Sequence, residues 1–243
     1  MSGKSAKANR RAAKQHQAAP KPIRAAQRRS TTTAGSRTRL VVTSLLVVGA
    51  AVGGLYLLSN RNHASTGTSN RNSGSYPYQV GAPGRGAAAP DVKLPATTGG
   101  TFDLAGYRGK KPVLLYFQEG LTCQPCWDQI SAIEKDRAKF AALGIGPIVS
   151  ITTDALGQIT QKASDEGLTI PVLSDDGGRV SDSYSARDFG MMGHDRDGHT
   201  FVLVGKNGTI VWRADYGGAP KYTMFVPDDE LLAQLRRAIG AQA

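Results

Sequence analysis

The chain has 243 residues and a formal net charge of +11 at pH 7, but the charge is unevenly placed. Residues 1–39 hold 11 of the 30 Lys and Arg residues and no Asp or Glu, whereas the remainder balances 19 basic against 19 acidic residues. A neutral remainder argues against a folded nucleic-acid-binding face, so we expect no nucleic acid partner. Binding of DNA or RNA by the basic tail itself stays open as a minor alternative.

An uncharged apolar run follows this basic tail at residues 40–58. As a helix rising ~1.5 Å per residue it would span roughly 28 Å, close to the ~30 Å hydrocarbon core of a bilayer. The positive charges that precede it predict a cytoplasmic N-terminus. We therefore expect one transmembrane helix in the cytoplasmic membrane, with everything after residue 58 outside. A cleaved signal peptide is the main alternative, but no good cleavage site follows the run.

Two further regions complete the predicted organisation. Residues 59–87 are rich in Ser, Asn, Gly and Thr, which is typical of a flexible linker. Residues 88–243 remain for a single domain of about 155 residues, which is enough to bury one core.

Predicted strands and helices alternate along this domain. Apolar runs indicate strands at 101–104, 113–117, 148–151, 172–173, 201–204 and 210–213. Helical periodicity indicates helices at 126–143, 155–166 and 179–184, and a last helix near Asp228, which we expect as its N-cap. The alternation, closed by an antiparallel hairpin and a helix, predicts an α/β sandwich with a mixed central sheet.

The two cysteines of the chain, Cys123 and Cys126, lie three residues apart in a Cys-Gln-Pro-Cys motif. The motif falls between the predicted strand 113–117 and a helix. A helix N-terminus offers unpaired amides and partial positive charge, which stabilise a thiolate. A Cys-x-x-Cys pair at such a position is typical of a redox-active dithiol. A purely stabilising disulfide is the plainer alternative, but so short a ring removes little unfolded-state entropy.

Four segments of the domain resemble the redoxins, the peroxiredoxin-like AhpC/TSA branch of the thioredoxin fold. They are Ala89–Pro95, Gly109–Phe117, Ile170–Asp175 and Thr200–Val204, and their order and spacing match together. The resemblance covers essentially the whole domain. It implies a thioredoxin-like three-layer sandwich with a mixed sheet, and redox chemistry on a thiol, a disulfide or a peroxide.

The peroxiredoxin pattern is incomplete in this chain. Cys126 falls at the peroxidatic position, but Glu119 stands where the family has Pro and Cys123 where it has Thr. The family's arginine position falls at Gly198. Two nearby arginines are candidates to replace it: Arg196 and Arg213.

The thioredoxin pattern is also incomplete. Pro125 matches the Cys-Gly-Pro-Cys form of that motif, but no proline occurs between Pro171 and Pro220 to supply the cis-proline that faces a thioredoxin dithiol. The leading hypothesis is a membrane-tethered thiol–disulfide oxidoreductase in which Cys123 attacks and Cys126 resolves. The alternative is a thiol peroxidase with Cys126 peroxidatic and Cys123 resolving. Both need an external electron donor, and neither needs a cofactor beyond the disulfide.

Supporting roles are expected for residues around the motif. Thr122 precedes Cys123 and Pro125 precedes Cys126. Trp127 is expected at the rim of the site, with a place in the core as the alternative. Glu119 is a candidate general base for Cys126, although a solvated loop charge is the plainer interpretation. Copper binding is a lesser alternative, because a Met/His-rich loop could approach the dithiol. The residues of that loop are Met191, Met192, His194 and His199.

Overall fold

The computed structural model describes residues 76–241, and the tail, the apolar run and most of the linker lie outside them. No helix in the described part is long and apolar enough to cross a membrane. The strands are β1 (Lys93–Pro95), β2 (Thr101–Asp103), β3 (Val113–Phe117), β4 (Ile148–Thr152), β5 (Val172–Ser174), β6 (Thr200–Val204) and β7 (Ile210–Asp215). The helices are α1 (Gln124–Lys135), α2 (Arg137–Ala142), α3 (Leu156–Asp165), α4 (Arg179–Ser183) and α5 (Asp228–Gly240).

The central sheet has five strands in the order β5-β4-β3-β6-β7. β3 runs parallel to β4 and antiparallel to β6, so the predicted mixed sheet is confirmed. All five residues of β3 are buried, because the strand is covered on both faces. The loop that carries the cysteines follows the C-terminal end of this central strand, so it lies at one end of the strands of the sheet.

The two faces of the sheet pack against different layers. On one face α1, α3 and α5 contribute Trp127, Ile159 and Leu235 to a core that includes Tyr116 and Phe201. On the other face the β1–β2 hairpin and the α4 region pack against the alternate residues of the same strands. The arrangement is the predicted α/β sandwich, and it separates side chains of adjacent strand residues onto opposite faces.

Two of the predicted helices differ from the structure by more than one or two residues at an end or in their cap. The helix expected over 126–143 is interrupted at Asp136 and forms α1 and α2. Asp228 is not an N-cap: Pro227 occupies that position, and Asp228 is the first residue of α5. Its carboxylate accepts a hydrogen bond from Gln129 Nε2 at 3.2 Å, so it holds α5 to α1 instead of capping its own helix.

The segment that precedes β1 runs along β7. The backbone amide of Gln79 donates to the carbonyl of Asp215, and the Asp215 amide donates to the carbonyl of Gln79, both at 2.9 Å. Gly81 also donates its amide to the Asp215 carboxylate at 2.7 Å. Residues 79–81 thus extend the hydrogen bonding of the sheet edge.

Candidate redox site

The cysteine motif opens α1 as the sequence predicts. Cys123 is the N-cap, Pro125 lies in the first turn, and the sulfurs of Cys123 and Cys126 form a disulfide. Proline is suited to this first turn because its missing N–H would have no helical partner. Cys123 Sγ also lies 3.3 Å from the backbone amide of Cys126 and accepts its hydrogen bond. An N-terminal amide is thus directed at the first cysteine, which favours negative charge on its sulfur after reduction.

The two cysteines differ in exposure. Cys126 is fully buried, whereas Cys123 retains 7% of its surface in contact with solvent. Thr122 and Pro125, the two supporting residues of the motif, are both exposed beside Cys123. An incoming sulfur would therefore meet Cys123 first.

Two hydrogen bonds at Gly120 hold the loop between β3 and the motif. Gln118 accepts from the amide of Gly120 at 2.6 Å, and the Gly120 carbonyl accepts from the Cys123 amide at 3.0 Å. Gly120 has a φ of +90°, and a Cβ at this position would collide with the Asp154 carboxylate. Only glycine fits this turn without strain.

Trp127 is not at the rim of the site, as the sequence suggests, but fully buried in the core. Its indole Nε1 donates to the carbonyl of Gly120 at 3.1 Å. Trp127 therefore stabilises the surroundings of the dithiol, because its hydrogen bond joins the first turn of α1 to the preceding loop. The bulk of the indole favours the core and its N–H finds a partner there.

Glu119 is not a solvated loop charge, because only 3% of its surface is exposed. Its Oε1 accepts hydrogen bonds from the amides of Met191, at 2.6 Å, and Met192, at 3.3 Å. Burial raises the pKa of Glu119, while these amides and the guanidinium of Arg196 act in the opposite direction. The carboxylate joins two loops, and its role as a base for Cys126 stays a prediction.

A second loop anchor involves Arg196, which the sequence suggests as a replacement for the missing peroxide-site arginine. Its guanidinium is paired with the buried carboxylate of Asp154. The other oxygen of Asp154 accepts the amide of Leu121 at 2.7 Å. Arg196 thus reaches the loop before the dithiol through Asp154. The sequence carried no signal for Asp154, because the contact depends on how β4 places its C-terminal end.

Arg213 lies on the other face of the sheet from α1. It is opposite Val202 in the β6–β7 register, and Val202 belongs to the core beneath the β1–β2 hairpin. Both Arg213 and Asp215 have fully buried side chains, and they form an ion pair at 2.9 Å. Arg213 therefore belongs to a buried ion pair on the face opposite α1, and its supporting role at the dithiol stays a prediction.

The glycine at the family's arginine position is enforced by packing. A Cβ on Gly198 would collide with the carbonyl of Phe189. The backbone passes so closely here that no larger residue fits. The family's arginine position therefore carries no guanidinium in this chain, and the guanidinium of Arg213 is engaged with Asp215.

The two candidate histidines have separate surroundings. His194 is exposed and lies 3.3 Å from the Asp188 carboxylate. His199 is fully buried, and its Nδ1 is 2.8 Å from the hydroxyl of Tyr116. Burial lowers the pKa of His199 to about 3, so its ring is neutral. Within residues 76–241 no group of three His, Cys, Asp or Glu residues is arranged to hold a metal ion.

Met224 is a residue of the site that the sequence analysis missed. It packs with Cys123 and Cys126 in a cluster separate from the two cores, and only 8% of its surface is exposed. It lies almost 100 residues after the motif, between β7 and α5. No local pattern could have linked it to the dithiol.

A mixed five-stranded sheet with a Cys-x-Pro-Cys disulfide at the start of α1 defines a redoxin of the thioredoxin fold. The AhpC/TSA family model matches residues 85–213, and the chain belongs to this family. A protein of Mycobacterium tuberculosis named as a peroxiredoxin is 30% identical over 101 residues, or 42% of this chain. The match spans 63% of that relative's length.

Solved structures show the same fold. The crystal structure of peroxidoxin BcpB from Mycobacterium tuberculosis is similar with a TM-score of 0.53 and 22% identity, over 63% of this chain and 97% of that one. A Plasmodium vivax 2-Cys peroxiredoxin gives a TM-score of 0.55 and 21% identity, over 65% of this chain and 83% of that one. The similarity confirms the thioredoxin-like architecture of the described domain.

Proposed function

We propose that this protein is a thiol–disulfide oxidoreductase that works through the Cys123–Cys126 pair. The observation that carries the proposal is the position of the pair at the start of α1, where solvent reaches Cys123 but not Cys126. This asymmetry suits a dithiol in which one sulfur meets the substrate and the other completes the exchange.

The exchange follows from this arrangement. In the reduced protein the Cys123 thiolate attacks one sulfur of a substrate disulfide, and the other substrate sulfur leaves and takes up a proton. Cys126 then loses its proton and attacks Cys123 Sγ. The mixed disulfide breaks, the Cys123–Cys126 bond forms, and the substrate leaves as a dithiol. The reverse sequence oxidises a substrate dithiol, and an external thiol–disulfide partner resets the pair in either direction.

Turnover of insulin disulfides with dithiothreitol as the electron donor tests the proposal. Cys123→Ser should abolish turnover, whereas Cys126→Ser should accumulate a mixed disulfide that dithiothreitol releases. Ser164→Ala, a change on the exposed surface of α3, serves as the control. Turnover that persists in Cys123→Ser would contradict the proposal.

A thiol peroxidase is the second candidate, supported by the family and by the peroxiredoxin-named relative. In that mechanism Cys126 attacks a peroxide oxygen, becomes a sulfenic acid, and is captured by Cys123 with loss of water. The burial of Cys126 and the packing at Gly198 argue against it. Stopped-flow mixing of the reduced protein with hydrogen peroxide decides the matter, because a peroxidase must react far faster than a free thiol.

We also propose that the protein is anchored in the cytoplasmic membrane, with the redoxin domain outside the cell interior. The support comes from the sequence alone: a basic segment at 1–39, an apolar run at 40–58 and a polar linker at 59–87. Protease added outside intact cells should cleave within 59–87 and release the domain. Full protection would contradict this topology.

A further inference from the structure

Two cysteines and one methionine pack together at the N-terminus of α1. Cys123, Cys126 and Met224 form one cluster, and each is less than one-tenth exposed. Disulfide exchange uses two of these sulfurs and gives no role to the thioether. A methionine packed against a redox dithiol could therefore serve as a metal ligand as well as a packing residue.

The backbone holds Met224 from both sides. The amide of Thr223 donates to the Tyr216 carbonyl at 3.0 Å, and the amide of Val226 donates to the buried Gln129 Oε1 at 2.7 Å. Gln129 belongs to α1, the helix that the cysteines begin. The backbone on either side of Met224 is thus held beside α1 by hydrogen bonds that do not depend on the disulfide itself.

We propose that the reduced protein binds Cu(I) through the thiolates of Cys123 and Cys126 and the thioether of Met224. Thiolate and thioether sulfurs are the soft ligands that select Cu(I). The N-terminal amides of α1 stabilise the two thiolates that the metal requires. The low exposure of all three residues keeps water from the ion.

The same surroundings disfavour Zn²⁺. Zinc prefers four ligands in a tetrahedron, with nitrogen or oxygen completing a partial thiolate set. Among the described residues no third His, Cys, Asp or Glu joins the two cysteines in a metal-binding group. His199 is engaged with Tyr116, and His194 is exposed beside Asp188. The site therefore offers what Cu(I) accepts and lacks what Zn²⁺ needs.

Loading the site requires the disulfide to be opened first. A dithiol reductant such as dithiothreitol supplies two electrons and two protons, the S–S bond between Cys123 and Cys126 breaks, and the reductant leaves as its own cyclic disulfide. Cu(I) then displaces the two thiol protons into solvent. The metal undergoes no change of oxidation state, and its affinity falls at low pH because protons compete for the thiolates.

Competition against the chelator bicinchoninate measures this affinity in the full-length chain. The protein is reduced under anaerobic conditions, freed of dithiothreitol and titrated with Cu(I). Wild-type protein should bind one Cu(I), and Met224→Leu should bind it about tenfold or more weakly, since leucine keeps the apolar packing but removes the donor. Met192→Leu, on an exposed surface, should match the wild type.

X-ray absorption on selenomethionine-labelled protein separates ligation from packing. The selenium edge should show a copper neighbour in the loaded wild type and none in Met224→Leu. Equal Cu(I) affinity in both proteins, or no copper–selenium contact, would overturn the thioether ligand. Absence of Cu(I) binding would overturn the whole site, while insulin turnover by the metal-free protein would still report on the proposed exchange activity independently.

Discussion

The carboxylate of Glu119 accepts a hydrogen bond from the backbone amide of Met191 at 2.6 Å, which joins the loop before the dithiol to the loop before β6. Met192 adds a second amide to the same oxygen. The side chains of these two methionines are exposed, but their backbone amides are bound by the buried carboxylate of Glu119.

Removal of that acid should loosen the methionine loop. Glu119→Ala leaves the two amides without their acceptor, so we expect hydrogen exchange at Met191 and Met192 to quicken by about tenfold or more. Glu119→Gln keeps an oxygen at the same place and should preserve most of the protection. Equal exchange rates in wild type and Glu119→Ala would show that the contact does not hold the loop.

Two glycines make a matched pair for testing the close approach at the family's arginine position. Gly198→Ala forces a methyl group against the Phe189 carbonyl and should cost about 3 kcal/mol or more of unfolding free energy. Gly157→Ala in α3 meets no atom within 4 Å and should raise that free energy by about 0.5 kcal/mol, because alanine favours helix. Urea unfolding followed by circular dichroism measures both. A Gly198→Ala protein as stable as the wild type would contradict the close packing described in the loop before β6.

A substitution of Arg213 tests whether this residue serves stability or catalysis. Arg213→Met leaves the Asp215 carboxylate buried without its cation, and we expect a loss of about 3–5 kcal/mol in unfolding free energy. Insulin turnover per folded molecule should be unchanged, because Arg213 lies on the face opposite α1. Arg236→Met, at an exposed position of α5, controls for the lost charge. A selective fall in turnover with unaltered stability would place Arg213 back in the redox site.

Asp197 should give the protein a pH-dependent stability. The hydroxyl of Ser181 lies 3.0 Å from Asp197 Oδ2 and 2.8 Å from Asp175 Oδ2, and its one proton cannot serve both. Burial raises the pKa of Asp197 to about 8. The Ser181 hydroxyl acts in the opposite direction, and the charge of Asp175 adds to the effect of burial. A protonated Asp197 can then donate to Ser181. The folded state then holds a proton that the unfolded chain, with an ordinary pKa of about 3.9, releases.

The unfolding free energy should accordingly fall as pH rises from about 4 to about 8, by at most ~1.4 kcal/mol per pH unit from this group. Asp197→Asn retains a donor for Ser181 and removes the titration, so its stability should decline less steeply in this window and exceed that of the wild type at pH 9. Asp176→Asn, an exposed neighbour in sequence to Asp175, should follow the wild type. Identical pH slopes for Asp197→Asn and the wild type would refute the assignment.

Most of the fold could be predicted because its signals are local. The apolar run of β3 and the glycine stop after α2 lie within a few residues of the elements they define. The helix start at Cys123 is equally local, since a proline in the first turn and a strand just before it are visible in the sequence. The break at Asp136 was missed because the apolar stripe continues through it on the same face.

The surroundings of the dithiol could not be predicted, because they are made by distant segments. Glu119 meets amides more than 70 residues away, and Met224 reaches the cysteines from beyond β7. Trp127 was misplaced for a related reason, and the face on which Arg213 lies could not be predicted either. The periodicity of a strand or helix indicates which residues point towards the core. For a strand residue, however, the register of the sheet decides whether its side chain lies on the same face as the site.

The ion pair of Arg213 and Asp215 has a mechanical consequence. Arg213 Nη1 donates to the carbonyl of Ala82 at 2.8 Å, while Asp215 is bonded to Gly81 and paired along the backbone with Gln79. A force applied to the chain before residue 76 would therefore act first on these hydrogen bonds to β7. The helix that begins with the cysteines lies on the other face of the sheet. A pull on the N-terminal end of the protein would therefore not act directly on the dithiol.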